Sequence, residues 1–220
     1  MKLKIFLVFC FLYEVNKVNG QSCQLKTKGL TSVDKNQLVD AHNKLRAKVA
    51  NGQQSGQPSA ANMKQLKWDD DLEAKAQAWA NTCADNHDNN DNRKTNKYPA
   101  VGQNFFASYA KGTGSEKKLN FYSAVQAWYD EVSNFNSDDI KSYKFDPNTG
   151  HYSQVVWADT EAIGCGYVTF LNGDGWNEKH LFCNSGPAGN YIGSPVYIQG
   201  PAASKCEGGK STQYPGLCNS

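Results

Sequence analysis

The chain has 220 residues, a formal net charge of +2 at neutral pH and seven cysteines. This length is sufficient for one domain with a sizeable apolar core. A net charge so close to zero gives no support for binding to nucleic acid or to an anionic membrane surface, both of which select strongly basic proteins.

Residues 1–20 have the pattern of a secretory signal peptide. Lys2 and Lys4 precede an apolar run over residues 5–13, and the predicted cleavage falls before Gln21. The apolar run is too short to span a bilayer, and no later stretch is apolar enough to anchor the chain. We therefore expect a secreted, extracellular protein that is not transmembrane.

Removing this segment takes away Cys10 and a net charge of +2, which leaves a neutral mature chain with six cysteines. An even number of cysteines in an exported protein predicts three disulfides. The spacing alone leaves their pairing open. The six are Cys23, Cys83, Cys165, Cys183, Cys206 and Cys218.

The first predicted helix begins at the capping residues Thr31 and Ser32 and ends at Gly52. Its apolar residues recur at helical spacing and place His42 on the buried stripe, where we predict a structural role. A second helix is predicted to begin at residues 69–71. The stripe of the first helix consists of Leu38, Ala41, His42, Leu45 and Val49, and that of the second of Leu72, Ala76, Trp79 and Cys83.

The next elements alternate between loops and regular structure. The polar tract of residues 84–93 predicts a solvated loop in which His87 is either an exposed bystander or a ligand. A short β-like run follows at residues 101–106, and a third helix is predicted over about residues 120–135. Glu131 lies on this helix beside Trp128, close to its apolar face.

The stretch of residues 150–160 places His151 just before Val155, Val156 and Trp157, which are large apolar residues that favour burial. His151 is therefore predicted at the rim of a packed element, either as a ligand or general base or as a hydrogen-bonded core histidine. Two β-runs at residues 163–171 and 180–183 then predict a hairpin. Helices that flank β-runs without strict alternation indicate an α+β fold.

Four stretches of the sequence carry a family resemblance. They are Gly150–Trp157, His180–Tyr191, His42-Asn43-x-x-Arg46 and Trp128–Glu131. Together they resemble the CAP superfamily of secreted cysteine-rich, antigen 5 and pathogenesis-related proteins, and in particular its arthropod antigen 5 or venom allergen branch. The resemblance covers essentially the whole mature chain. The second stretch departs from the family at Ser185, where tyrosine is usual.

The resemblance implies a three-layer α-β-α sandwich around an antiparallel sheet, reinforced by disulfides. The CAP domain is expected over residues 21–195, including an N-terminal arm. Residues 196–220 are expected to form a Gly/Pro-rich tail with a two-cysteine clasp. The implied disulfide pairs are Cys23–Cys83, Cys165–Cys183 and Cys206–Cys218.

Members of the family have a cleft lined by two histidines and two glutamates that in several of them holds a divalent metal. By position, these residues correspond to His87, His151 and Glu131, with Gln103 in place of the other glutamate. A carboxamide is a poorer ligand than a carboxylate. We therefore expect weak binding of Zn²⁺ or another divalent metal, or a Gln103 that only orients a water or an imidazole.

The resemblance implies a non-enzymatic venom or salivary effector, an allergen or toxin, that acts as a monomer on an unidentified host or prey protein or lipid. One alternative is a lipid or sterol carrier. The other is a protease or esterase that uses Ser153 or a metal-bound water, with His151 as base and Glu131 orienting it. A carrier groove would be lined by Phe105, Phe106, Tyr109, Phe121 and Tyr122.

Overall fold

In the computed structural model, the chain is described over residues 17–18, 21–112, 114–115 and 117–220. Apart from residues 17–18, the predicted signal peptide lies outside these residues. The helices are α1 (Ser32–Ala50), α2 (Asp70–Ala80), α3 (Asn90–Arg93), α4 (Phe121–Asp130) and α5 (Gly150–Val155), with 3₁₀ turns at Glu131–Asn134 and Ser137–Ile140. The strands are β1 (Lys17–Val18), β2 (Gln21–Ser22), β3 (Gln24–Lys28), β4 (Lys67–Trp68), β5 (Gly102–Ala110), β6 (Ala162–Leu171) and β7 (Asn177–Gly186).

The main sheet has the strand order β3-β6-β7-β5, and its neighbouring strands are antiparallel. The two residues of β4 add to β6 in the parallel direction. The predicted hairpin is present as β6 and β7, although β7 begins three residues earlier than predicted. The short run predicted at residues 101–106 is longer in the structure and continues to Ala110 as β5.

Helix α2 packs so closely on one face of the sheet that two positions of β6 have room only for glycine. A Cβ atom added to Gly164 would lie 2.2 Å from the backbone nitrogen of Glu73, and one added to Gly166 would lie 2.4 Å from the backbone of Ala76. On the opposite face, α1, α4 and α5 enclose the larger apolar core. The predicted three-layer α-β-α sandwich is therefore confirmed.

Helix α1 follows its sequence pattern closely. Thr31 caps it and forms a reciprocal capping box with Asp34, and Gly52 follows its end with a φ of +68°. His42 is buried, and its Nδ1 lies 2.7 Å from the carbonyl oxygen of Leu38. Burial lowers the pKa of His42 to about 4, so the ring is neutral and structural at physiological pH.

Two predicted elements differ from the structure. The third helix ends at Asp130 instead of 135, and the chain tightens there into the 3₁₀ turn that carries Glu131. The tract of residues 84–93 is only partly solvated, because Asp88 and Arg93 are buried. Their side chains lie 2.9 Å apart as an ion pair, which compensates the charge that each brings into the interior.

The three disulfides pair Cys23 with Cys83, Cys165 with Cys183 and Cys206 with Cys218, as the family resemblance implies. The C-terminal tail packs on the domain. Leu217 is buried in the main core, and the backbone N–H of Cys218 donates to the carbonyl of Met63 at 2.8 Å.

Arg46 of α1 is fully buried, and its hydrogen bonds within the described residues all go to backbone carbonyls. Nη1 donates to Val155 and Trp157, at 2.9 and 2.8 Å, and Nε donates to Lys64 at 2.9 Å. Nη2 contacts the carbonyls of Lys64, Ala158 and Thr160. Burial lowers the pKa of Arg46 to about 9, which still leaves the guanidinium charged at neutral pH.

We expect Arg46→Lys to destabilise the protein by roughly 3 to 5 kcal/mol, because an ammonium cannot reach all of these carbonyls and leaves buried acceptors unpaired. Chemical denaturation of the wild type and the variant measures this loss. The control is Lys44→Ala on the exposed side of the same helix, where less than about 1 kcal/mol is expected. Equal losses in the two variants would contradict the role given to Arg46.

Candidate functional site

His151 occupies the first turn of α5 and is held there by Glu131. One carboxylate oxygen of Glu131 lies 2.6 Å from the imidazole Nδ1. The other accepts the backbone N–H groups of His151 and Tyr152, at 2.9 and 3.0 Å. Glu131 thus satisfies N–H groups that are unpaired at every helix start, and it places a negative charge at the positive end of the helix dipole. The ring of Trp128 stacks beside His151 at a centroid distance of 6.2 Å.

His87 lies in the loop after α2 and is held by Gln103 of β5. The Nδ1 of His87 is 2.8 Å from the carboxamide oxygen of Gln103. The carboxamide nitrogen lies 3.2 Å from Asp88 Oδ1 and 3.0 Å from Asn184 Oδ1. Because a carboxylate can only accept, the nitrogen of the carboxamide must face Asp88 and the oxygen must face His87.

These contacts define the proton positions on both rings. The carboxamide oxygen of Gln103 accepts a hydrogen bond, so His87 donates from Nδ1. The carboxylate of Glu131 likewise accepts a hydrogen bond from Nδ1 of His151. In the neutral imidazoles, both Nε2 atoms therefore carry a lone pair. Neither Nε2 has a hydrogen-bond partner within the part of the chain that the structure describes. The site presents two basic nitrogens whose rings are fixed from behind.

The electrostatics keep the imidazole of His87 uncharged. Burial lowers the pKa of His87, against the hydrogen bond to Gln103, which raises it; nearby Arg93 and His151 lower it further. Burial raises the pKa of Asp88, although Arg93 and Gln103 both act to lower it. His87 is therefore neutral at physiological pH and available as a ligand or hydrogen-bond acceptor.

The structure brings His87, His151, Glu131 and Gln103 together, but it gives them two different roles. The ring centroids of His87 and His151 are 6.4 Å apart. His87 and His151 are the two residues here that could hold a divalent ion, each through an imidazole nitrogen. Glu131 and Gln103 instead contact the Nδ1 atoms. In this structure the orienting role that the sequence left open for Gln103 is the one its contact to His87 gives it, and Glu131 holds His151 in the same way.

Among the described residues there is no group of three or more His, Cys, Asp or Glu side chains suited to holding a metal. An ion in this cleft would take two ligands from the protein and the others from water. This donor set fits a weakly held Zn²⁺, which normally has four ligands.

Ser153 does not meet the requirement of the hydrolase alternative in which it is the nucleophile. Its side chain is fully buried, and its hydroxyl lies 2.7 Å from Asn190 Oδ1 and 3.1 Å from the carbonyl oxygen of Gly150. The hydroxyl ties α5 to the segment after β7. It is a packing group and is not accessible to a substrate.

The five aromatic residues proposed to line a carrier groove are not brought together. Phe105 and Phe106 point to opposite faces of β5, as neighbours in a strand do. Phe105 stacks on Phe182 at 4.4 Å on the α2 side, whereas Phe121 is buried in the core on the other side. Tyr109 and Tyr122 are exposed at separate places.

Sequence reasoning missed three residues that complete the site. Asp88 and Asn184 orient the carboxamide of Gln103, and Trp128 stacks on His151. Asp88 directly follows His87, so that adjacency was the available signal. The contact from Asn184 depends on the β5–β7 register, which places it directly opposite Gln103.

The fold and the site together define a disulfide-bonded α-β-α sandwich with a two-histidine cleft at the edge of its sheet. The model of the cysteine-rich secretory protein family, CAP, matches residues 39–185. The chain belongs to this family.

The chain is similar to several venom proteins. It is 48% identical over 202 residues to scoloptoxin SSD976 of Scolopendra dehaani, which covers 91% of each chain. It is 38% identical over 217 residues to venom allergen 5 of Tityus serrulatus, covering 92% of this chain and 51% of that protein. The crystal structure of NaASP2 with Zn²⁺ superposes with a TM-score of 0.71 at 29% identity, covering 86% of this chain and 97% of that one.

We expect Gln103→Glu to destabilise the protein by about 2 to 3 kcal/mol at neutral pH. The new carboxylate replaces a donor that faces Asp88 and Asn184, so two hydrogen bonds are lost and two carboxylates are placed in contact. Their repulsion raises a carboxyl pKa in the folded state. The loss of unfolding free energy in Gln103→Glu should therefore grow as pH rises above roughly 4 and shrink in acid.

Denaturation at several pH values measures this effect. The matched control is Gln126→Glu, an exposed glutamine whose Nε2 is 2.7 Å from Asp130 Oδ1. Water screens that pair, so we expect less than about 0.5 kcal/mol there. A Gln103→Glu loss that did not depend on pH would mean that Asp88 is not the neighbour responsible.

Proposed function

We propose that this protein is a secreted, venom-allergen-like effector that acts on host or prey by binding and not by catalysis. The observation that carries the proposal is the burial of Ser153, which removes the hydroxyl considered as a nucleophile from the reach of a substrate. The similarity to scoloptoxins and to venom allergen 5 supports a role in venom. Three disulfides agree with an extracellular location.

The test compares the wild type with His151→Ala in two assays. We expect no hydrolysis of casein or of p-nitrophenyl esters above the level of the variant. We also expect the response of isolated arthropod or vertebrate tissue to the protein to be retained in His151→Ala, because binding surfaces outside the cleft are intact. If the wild type hydrolyses a substrate, and His151→Ala loses both this activity and the tissue response, the protein acts as a hydrolase instead.

The proposal includes a weak divalent-metal site at the cleft. His87 and His151 would hold the ion through Nε2, while Gln103 and Glu131 fix the rings. A bound Zn²⁺ would supply Lewis acidity or a bridge to a ligand. The structure of NaASP2 with Zn²⁺ supports the idea that this fold accommodates the ion.

We expect calorimetric titration to show weak Zn²⁺ binding at neutral pH and none in the His87→Ala/His151→Ala double variant. Glu131→Gln should bind at least ~10-fold more weakly than the wild type, because it removes the charge that makes the imidazole basic. Binding should fade in acid, since a protonated imidazole cannot ligate, and the lowered pKa of His87 keeps that ring neutral to below its ordinary range. Undiminished binding in the double variant would place the metal elsewhere.

A lipid carrier remains the second candidate, because of a groove between α1 and α4. It has a volume of about 530 Å³ and is lined in part by Ala41, Leu45 and Ala127. Of the five aromatic residues named for a carrier, only Tyr122 lines it. Lys44 lies at its rim, where an ammonium suits the carboxylate of a fatty acid. Lipid identified by mass spectrometry in natively purified protein would favour this candidate.

A further inference from the structure

Strand β5 is an edge strand, and the sheet register determines which of its backbone N–H and C=O groups point towards β7 and which point outward. Cys165 and Cys183 face each other on β6 and β7 with a Cα–Cα distance of 4.1 Å, which is typical of a non-hydrogen-bonded antiparallel pair. The backbone of Cys183 therefore points to β5, and that of Phe182 points to β6. Phe105, opposite Phe182, must turn its N–H and C=O away from β7.

An independent contact supports the outward direction of the Phe105 backbone groups. The carbonyl oxygen of Phe105 accepts the indole N–H of Trp128 at 2.9 Å, which is possible only if it faces outward. Because the direction of the backbone N–H and C=O groups alternates along a strand, those of Ala107 and Tyr109 also point outward, away from β7. Within the described part of the chain, no group pairs with the backbone N–H or C=O of either residue. Tyr109 is 54% exposed.

The two edges of the sheet differ in how they are protected. The outer strand β3 carries Lys26 and Lys28 and is exposed along its length. Lysines on an edge strand oppose pairing with another strand. Strand β5 has nine residues and contains neither a charged residue nor a proline. It therefore has the features of an edge that accepts another strand.

We propose that β5 pairs with β5 of a second copy of this chain, antiparallel and about a two-fold axis at Ser108. In this register, Ala107 of each copy forms a hydrogen-bonded pair with Tyr109 of the other. The pairing satisfies the outward N–H and C=O groups of both residues, while Phe105 keeps its contact with Trp128. The inference is independent of the proposed function.

A second copy suits this edge better than an extended segment of another protein. The open part of the edge is short, because Trp128 covers it at Phe105, and it is symmetric about Ser108. A two-fold axis makes such a surface complementary to itself. The absence of charge on β5 also means that like charges do not meet across the axis. The contact is small, so we expect a weak dimer that depends on concentration.

Substitution of Ser108 tests the register directly. In the proposed dimer, Ser108 of one copy lies opposite Ser108 of the other in a non-hydrogen-bonded pair. Cys165 and Cys183 form a disulfide in the same kind of pair. We expect Ser108→Cys to oxidise in air to a covalent dimer, in which peptide maps show the two introduced thiols linked to each other and the three native disulfides intact. Ser133→Cys, at an exposed serine on the turn after α4, is the control and should cross-link at least ~10-fold more slowly.

Sedimentation of the unmodified chain gives the second readout. We expect a dimer that grows with protein concentration, and Ser108→Lys should weaken it at least ~10-fold, because two lysines would meet at the axis. Unchanged thermal unfolding of Ser108→Lys would show that the fold is retained. A monomer at every concentration, or equal cross-linking of Ser108→Cys and Ser133→Cys, would overturn the proposal.

Discussion

The buried guanidinium of Arg46 is the interaction on which the position of the cleft depends. Helix α5 has six residues, and a helix of this length has little stability of its own. Its C-terminal end is held by Arg46, which donates to the carbonyls of Val155 and Trp157, and its N-terminal end by Glu131. A cation at one end and an anion at the other both match the helix dipole. His151 is therefore fixed before any ligand binds.

The other half of the cleft is fixed from the sheet. Gln103 is positioned by its neighbour Asn184 on β7 and by Asp88, so its oxygen has one orientation towards His87. Asp88 is in turn neutralised by Arg93. A loop that is rich in Asn and Asp thus becomes partly ordered around a buried ion pair. The histidine it carries then has a defined proton on Nδ1 and a free lone pair on Nε2.

The sequence was informative where a pattern is local. The cap at Thr31, the stripe that buries His42 and the β6–β7 hairpin all follow from spacing and propensity. The end of the third helix at Asp130 was not predictable, because the apolar spacing continues beyond it. The family resemblance named the four cleft residues and left two roles open for Gln103 and Glu131, as metal ligands or as side chains that orient a histidine. Whether Glu131 contacts a metal or His151 depends on long-range geometry.

The register of β5 relates the cleft to the open edge. Neighbouring side chains on a strand point to opposite faces, so Gln103 reaches His87 on the α2 side while Asn104 contacts the carbonyl of His151 on the other side, at 3.1 Å. The cleft therefore straddles the sheet edge at the start of β5. Beyond the Trp128 contact at Phe105, the outward backbone groups of Ala107 and Tyr109 have no hydrogen-bond partner within the described part of the chain. The alternation of backbone direction that the Cys165–Cys183 pair defines therefore has two consequences along β5. The first half of the strand lies beside the two histidines and is covered at Phe105 by Trp128, and the second half has outward backbone groups that are open to another strand.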